Sequence, residues 1–346
     1  MTKSKSKAFF INGGAGRVIS SIPALEKYAL ESGDKDFIIV AEGGGEFYKN
    51  HPILEDRVYE VNHKNLFKKH LIHKELITPE PYRVKEYFTQ KCSIAQAFDI
   101  EINKKGIREL PIPKLYITQS ETINAAETIA EIKKQLRVDK VAVFQPFGRG
   151  VHVDPEKKES HDPTGRSFFY NDVIKTMKFL QENGYAVIMF SEYELDTRGS
   201  GAKDHVKLQA NLRDWAAIID CADLFVGCDS VGQHISRATK TPTLSILGAT
   251  YPINVSYPET DWFKVIDLGD GYRKYSPIRI CFDEDVDKNN EKLMYMTDEI
   301  FDYIMGELKQ VIEVANKKAG SSIPSAFFDA RRFARSHEEA LSSRNN

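Results

Sequence analysis

Short apolar runs that break into glycine or small-residue turns, and then into helical periods, recur along this chain. That pattern restricts it to an α/β fold. Residues 8–11 (AFFI) are strand-like and meet the turn Asn12-Gly13-Gly14-Ala15-Gly16. Ile19, Ile22, Leu25 and Ala29 then fall on one side of a helix, and residues 37–40 (FIIV) form the next strand before Glu42-Gly43-Gly44-Gly45. Strand, glycine turn, helix and strand make a βαβ unit, which predicts a parallel sheet.

A second series begins near Val141. Residues 141–145, 186–190, 224–228 and 243–247 read as strands, and 168–183 as a helix stopped by Asn183-Gly184. Residues 150–165 have the composition of an exposed loop, and 62–113 allow only loose placement of helices. Residues 296–319 read as a long C-terminal helix. The tail after Gly320, with Arg331, Arg332 and Arg335, reads as a docked helix or a partly disordered extension. At 346 residues the chain exceeds what one core usually serves. The division expected is a first lobe over 1–130, a second over 131–295, a helix over 296–320 and a tail over 321–346.

Composition removes several classes. No run approaches the ~18 apolar residues of a membrane span, and the apolar stretch near the start is too short for a signal peptide. Cys92, Cys221, Cys228 and Cys281 are scattered without a CxxC pair, and Cys221 and Cys228 lie in apolar runs. Free thiols in a reducing, cytoplasmic setting follow. The net charge of -2 argues against a non-specific nucleic-acid binder. Locally the balance differs. Between His63 and Cys92, Lys64, Lys68, Lys69, Lys74, Arg83, Lys85 and Lys91 face only Glu75, Glu80 and Glu86, with His63, His70 and His73 interleaved. This is a solvated face, or a patch that attracts an anionic acceptor. The acidic run Asp283-Glu284-Asp285-Val286-Asp287 reads as a solvated loop rather than a metal site. Nothing in the sequence sets an oligomeric state.

Chemistry concentrates in residues 211–250. Leu212, Trp215, Ala216 and Ile219 give an amphipathic helix, the strand 224–228 follows, and Asp229-Ser230-Val231-Gly232-Gln233-His234 opens a short helix. Ligands in open α/β sheets bind at such carboxyl ends of strands. Free N–H groups at a helix start favour a phosphate. Ser230 adds a hydroxyl, and Gly232 would let a ligand approach the backbone. The bland alternative is an ordinary capped helix start with no ligand.

This segment resembles the donor-binding segment of the heptosyltransferase-like glycosyltransferases, glycosyltransferase family nine. Leu212 to Ile219 matches that family's helix, and Asp229, Ser230, His234, Ala238, Pro242, Gly248 and Thr250 fall at its spacing. Gly16 to Leu25 and His51 to Val58 are similar to its N-terminal motifs. The resemblance implies a GT-B fold: two facing Rossmann-like lobes with parallel sheets, and a C-terminal helix crossing back. It implies an acceptor on the first lobe, around Gly14, Gly16, Lys68 and Lys69. On the second lobe it implies a nucleotide-sugar co-substrate, with no other cofactor and no essential metal. The donor diphosphate is expected at Asp229, Ser230, Val231 and Gly232, beside His234, with Arg166 neutralising the leaving group. Gln145 and Arg149 face the same cleft, and Glu192 or Glu194 is placed to hold ribose or base.

Two positions depart from the family pattern. Val231 replaces a glycine, with Gly232 one place later. Arg17 replaces the aspartate viewed as general base, and an arginine cannot accept a proton. Three accounts stay open. Another acid, Glu42 or Asp99, is the base; or Arg17 binds a phosphate in a retaining reaction; or the chain binds without catalysis. The leading expectation is sugar transfer to a hydroxyl of a glycan such as lipopolysaccharide core. The alternatives are glycosylation of hydroxymethylated pyrimidines in phage-type DNA, a nucleotide-sugar epimerase, and a non-catalytic sugar-nucleotide-binding protein.

Overall fold

The computed structural model describes residues 5–273 and 293–321. Cys281, the acidic run at 283–287 and the tail arginines Arg331, Arg332 and Arg335 lie outside the described residues.

The first sheet is parallel, in the order β3-β2-β1-β4. It is built from β1 (Lys7–Ile11), β2 (Ile38–Ala41), β3 (Val58–Glu60) and β4 (Glu75–Ile77). Helix α1 (Ala15–Glu31) joins β1 to β2 as the glycine turn requires. Alternation along β1 sends Phe9 and Ile11 into a core with Val18, Ile22 and Leu25 of α1. Ala8 faces the other way, with Ile38 and Val40, and is covered there by Leu66 and Leu71. The irregular middle holds two helices, α2 (Lys85–Phe88) and α3 (Ile94–Asn103). Ser93 and Gln96 form a capping box that starts α3.

Helix α4 (Gln119–Leu136) leads to the second sheet. That sheet has six strands in the order β12-β11-β10-β5-β8-β9, all parallel. Its members are β5 (Lys140–Gln145), β8 (Tyr185–Met189), β9 (Val206–Lys207), β10 (Leu224–Cys228), β11 (Thr243–Leu247) and β12 (Phe263–Asp267). Between β5 and α5 (Tyr170–Glu182), the stretch read as an exposed loop forms an antiparallel hairpin, β6 (His152–Asp154) with β7 (Glu159–His161). Val151 and Val153 are buried within it, and those two apolar residues anchor what composition alone made look solvated. Asn183 ends α5 and Gly184 follows with φ +84°, the stop expected from sequence.

Helices α6 (Leu212–Cys221), α7 (Val231–Thr239), α8 (Pro252–Val255) and α9 (Asp298–Ser321) complete the chain. The described part of the final helix packs on the second lobe. Ile304, Met305, Leu308, Val311 and Ile312 join the core of the second lobe with Val173 and Met177 of α5. The apolar stripe of α9 matches that lobe, and this sets its place. No helix among the described residues is long and apolar enough to cross a membrane.

A buried arginine ties α6 to the start of α4. Arg213 donates through Nε and Nη2 to Glu121, at 2.9 and 2.6 Å, and through Nη2 to the carbonyl of Tyr116 at 2.8 Å. Glu121 also accepts the amide of Thr118, which caps α4. Arg213→Ala strands that carboxylate and is expected to cost on the order of 3 kcal/mol. Chemical denaturation measures it, and a loss below 1 kcal/mol would place the stability elsewhere.

Candidate active site

The carboxyl ends of β1, β5, β8 and β10 open into one cleft of about 1060 Å³ between the lobes. The starts of α1 and α7 face each other across it, and both expose small residues: Gly14, Ala15 and Gly16 on one side, Ser230 and Val231 on the other. Two helix N-termini aimed at one space make it electropositive before any side chain is counted. Arg17, Arg149 and Arg166 line the same space.

On the second lobe, Asp229 ends β10. It accepts a hydrogen bond from Gln233 Nε2 at 2.9 Å and faces the Arg166 guanidinium at 4.0 Å. Asp162 organises the loop that presents Arg166. One of its carboxylate oxygens takes the Thr164 amide and hydroxyl, at 2.8 and 2.6 Å. The other takes the Ser167 amide and hydroxyl, at 3.0 and 2.5 Å. Thr164 Oγ1 in turn accepts from Arg166 Nε at 3.0 Å. The arginine is therefore a fixed cation rather than a wandering surface charge.

Gln145 also lines the cleft, and its Oε1 accepts the Gly232 amide at 2.8 Å. The glycine at 232 has a different cause from the one read in the sequence. A Cβ there would lie 2.4 Å from both Gln145 Oε1 and the Phe225 ring. The protein's own side chains occupy the approach that a ligand was expected to use, and Val231 and Ser230 front the cleft instead.

His234 projects from α7 against the first lobe. A Cβ on Gly16 would lie 3.0 Å from its ring, so Gly16 is what lets α1 and α7 meet. The His234 Nδ1 and the Tyr257 hydroxyl are 2.9 Å apart. Burial pushes the imidazole down to about 4, against the pull of nearby Asp229, so it is neutral at pH 7.

Of the other expected residues, Glu192 lines the cleft, near Phe190, Ser191 and the segment Lys207 to Leu212. Glu194 is exposed outside it and pairs with Lys207 at 3.1 Å. On the first lobe Gly14, Gly16 and Arg17 line the cleft. The Arg17 guanidinium donates to Glu80 at 3.2 Å and to the Pro79 carbonyl at 3.3 Å, and lies 4.9 Å from the Tyr82 ring centre. Neither expected base reaches the cleft. Glu42 is exposed and accepts the Gly13 amide. Asp99 is buried against Arg108, at 2.5 and 2.8 Å, and Asn103. Lys68 and Lys69 sit on an exposed turn away from it.

The sequence reading missed Glu46, Tyr82, Tyr87 and the Phe190–Trp215 pair, all of which line the cleft. Phe190 and Trp215 stack at 4.1 Å and 14°. Glu46 follows the triple glycine after β2, and Gly44 at φ +75° turns the chain so that it enters the cleft. Glu46 is the first-lobe carboxylate lining the cleft among the described residues, and no ion pair or side-chain hydrogen bond engages it there. No group of three or more His, Cys, Asp or Glu among the described residues is arranged to hold a metal ion.

Residues 170–266 match the family model for glycosyltransferase family 9 (heptosyltransferase). Over this segment the chain is similar to the heptosyltransferases. The matched segment runs from α5 through β12 and contains the Asp229 turn. Lipopolysaccharide heptosyltransferase 3 of Escherichia coli (strain K12) is 36% identical over 102 residues, 25% of this chain and 30% of that protein. That match thus spans under a third of the relative's length. The crystal structure of the glycosyl transferase family 9 from Veillonella parvula DSM 2008 superposes with a TM-score of 0.60 at 12% identity, over 90% of this chain and 98% of that one. The E. coli ADP-heptose lps heptosyltransferase II gives 0.56 at 11%, over 90% and 99%. These likenesses place the chain in the GT-B fold.

Two outcomes follow from this packing. Gly232→Ala forces Gln145 and Phe225 aside and is expected to cost about 1–3 kcal/mol in a denaturation series; an unchanged midpoint would contradict the close approach. For His234, the unfolded chain takes up a proton near the ordinary 6.5 while the folded chain waits until about 4. Acid therefore removes stability between those values, on the order of 3 kcal/mol. His234→Gln is expected to flatten the loss across that window, and a parallel fall in both proteins would remove His234 as its source.

Proposed function

We propose that this chain is a glycosyltransferase that moves a sugar from a nucleoside-diphosphate sugar to a hydroxyl acceptor. Heptosyl transfer to a lipopolysaccharide core glycan is the leading assignment. The observation that carries the reading is the fixed Arg166 guanidinium, which lines the cleft 4.0 Å from Asp229, just before α7. As the anomeric C–O bond breaks, negative charge gathers on the departing diphosphate. A fixed Arg166 and the positive end of α7 would offset that charge. We assign no metal to this task, since a held guanidinium supplies the positive charge. The Phe190–Trp215 stack and Glu192 offer the nucleoside an apolar wall and a carboxylate for its hydroxyls.

The acceptor hydroxyl must lose its proton as it attacks. Arg17 cannot take it, and neither Glu42 nor Asp99 faces the cleft. We assign the proton to Glu46, whose carboxylate lines the first-lobe wall. Arg17, held by Glu80, is a fixed cation lining the same cleft that suits an anionic group on acceptor or donor. The family match and the nucleotide-sugar chemistry favour transfer over epimerisation or binding alone. The free thiols of Cys92, Cys221 and Cys228 support a cytoplasmic setting.

The test incubates the protein with a panel of nucleotide sugars and identifies products by mass spectrometry. Release of nucleoside diphosphate with sugar passed to acceptor or water is the expected result. An altered sugar on an intact nucleotide would make the chain an epimerase. Added chelator is expected to leave the rate unchanged. Glu46→Gln is expected to lower the transfer rate by about 100-fold or more with donor affinity kept; an unaffected rate would remove Glu46 from the chemistry.

A further inference from the structure

The face of the first sheet opposite α1 is covered by one crossing segment, residues 61–74, rather than by a helical layer. Its central turn, Phe67–Leu71, is π-helical, closed by the Ile72 amide on the Phe67 carbonyl at 3.0 Å. A turn of that width sets residues five apart on one side. Leu66 and Leu71 therefore both point inward to Ala8, Ile38 and Val40, and Phe67 and Ile72 both point out. Phe67 is 60% exposed and Ile72 52%. Two further apolar residues extend the same face. Val61 and Leu76 are each 52% exposed, and Leu76 pairs in register with Ala8, whose side chain is on this side of the sheet.

Charge completes the pattern. Residues 61–74 contain Lys64, Lys68, Lys69 and Lys74, three histidines and no Asp or Glu. Lys74 is tied to Ser6 and the Asp36 carbonyl, while Lys64, Lys68 and Lys69 are exposed. Glu60 and Glu75 lie at the segment's ends. Tyr59, His63 and His70 pack ring against ring, with centres 4.1 to 5.5 Å apart, and hold the turn on the sheet.

We propose that this face docks on an anionic lipid surface. Phe67 and Ile72 would enter the interface, and Lys64, Lys68 and Lys69 would sit at headgroup level. Lysines alone would suit any polyanion. The outward aromatic and aliphatic pair between them selects a lipid surface, because a nucleic-acid backbone gives Ile72 nothing to bury against. The segment starts at the carboxyl end of β3, the end of the sheet at which the cleft opens. Docking would therefore bring an acceptor held in the same surface toward Gly14 to Arg17. The docking itself does not depend on which sugar is transferred.

Flotation with vesicles tests it. The full chain is expected to float with vesicles of equal parts phosphatidylglycerol and phosphatidylcholine, to release in high salt, and to stay behind with phosphatidylcholine alone. The double variant Lys68→Glu/Lys69→Glu is expected to lose about tenfold or more in partitioning. Phe67→Ser/Ile72→Ser is expected to lose a similar amount while remaining as stable and binding nucleotide as before. Absence of flotation with the phosphatidylglycerol-containing vesicles overturns the proposal. So does self-association in sedimentation that Phe67→Ser abolishes, or binding to duplex DNA that both double variants weaken equally while flotation is unchanged.

Discussion

The hydrogen bond from the Gly232 amide to Gln145 Oε1 fixes the start of α7 against the end of β5, and the site depends on it. It forms because residue 232 has no side chain and the Phe225 ring fills the remaining space. With α7 so placed, Asp229 faces Arg166 and His234 reaches Gly16 on the other lobe. One close approach thus sets the diphosphate end of the cleft and the contact between lobes. The neutral, buried His234 rests against a helix start, where a charged imidazolium would meet the positive end of α1.

The second lobe was readable because its strands are short apolar runs ending in small-residue turns. Residues 224–228 and 243–247 are strands as expected, and Leu212, Trp215, Ala216 and Ile219 mark α6. A period of 3.6 or an unbroken apolar run survives any tertiary context that keeps the element buried. The hairpin His152–His161 did not announce itself, because two buried valines in a polar stretch are too few to set a period. The glycine at 232 was noticed for its flexibility, whereas its cause is a contact with Gln145, 87 residues away in sequence.

Site residues on the first lobe were harder to read. Arg17 stands where the family pattern has an acid, and the replacement acids that the sequence offers are a strand-end and a helical residue. Asp99 satisfies Arg108 instead, and Glu42 accepts the Gly13 amide of the turn after β1. Glu46 enters the cleft through a left-handed Gly44, a backbone detail with no periodic signature. The basic segment 61–74 was legible as charge but not as a face. Only the wide turn shows that Leu66 and Leu71 anchor it and that Phe67 and Ile72 project.

The central claim is that a nucleoside diphosphate binds between Arg166 and the start of α7. Calorimetric titration of ADP, UDP and GDP into the intact chain and into Arg166→Ala tests it most directly. Saturable binding of one of them, weakened by about tenfold or more in the variant, is the result this account predicts. Equal affinity in both proteins, or no binding of any of the three to the intact chain, would contradict it.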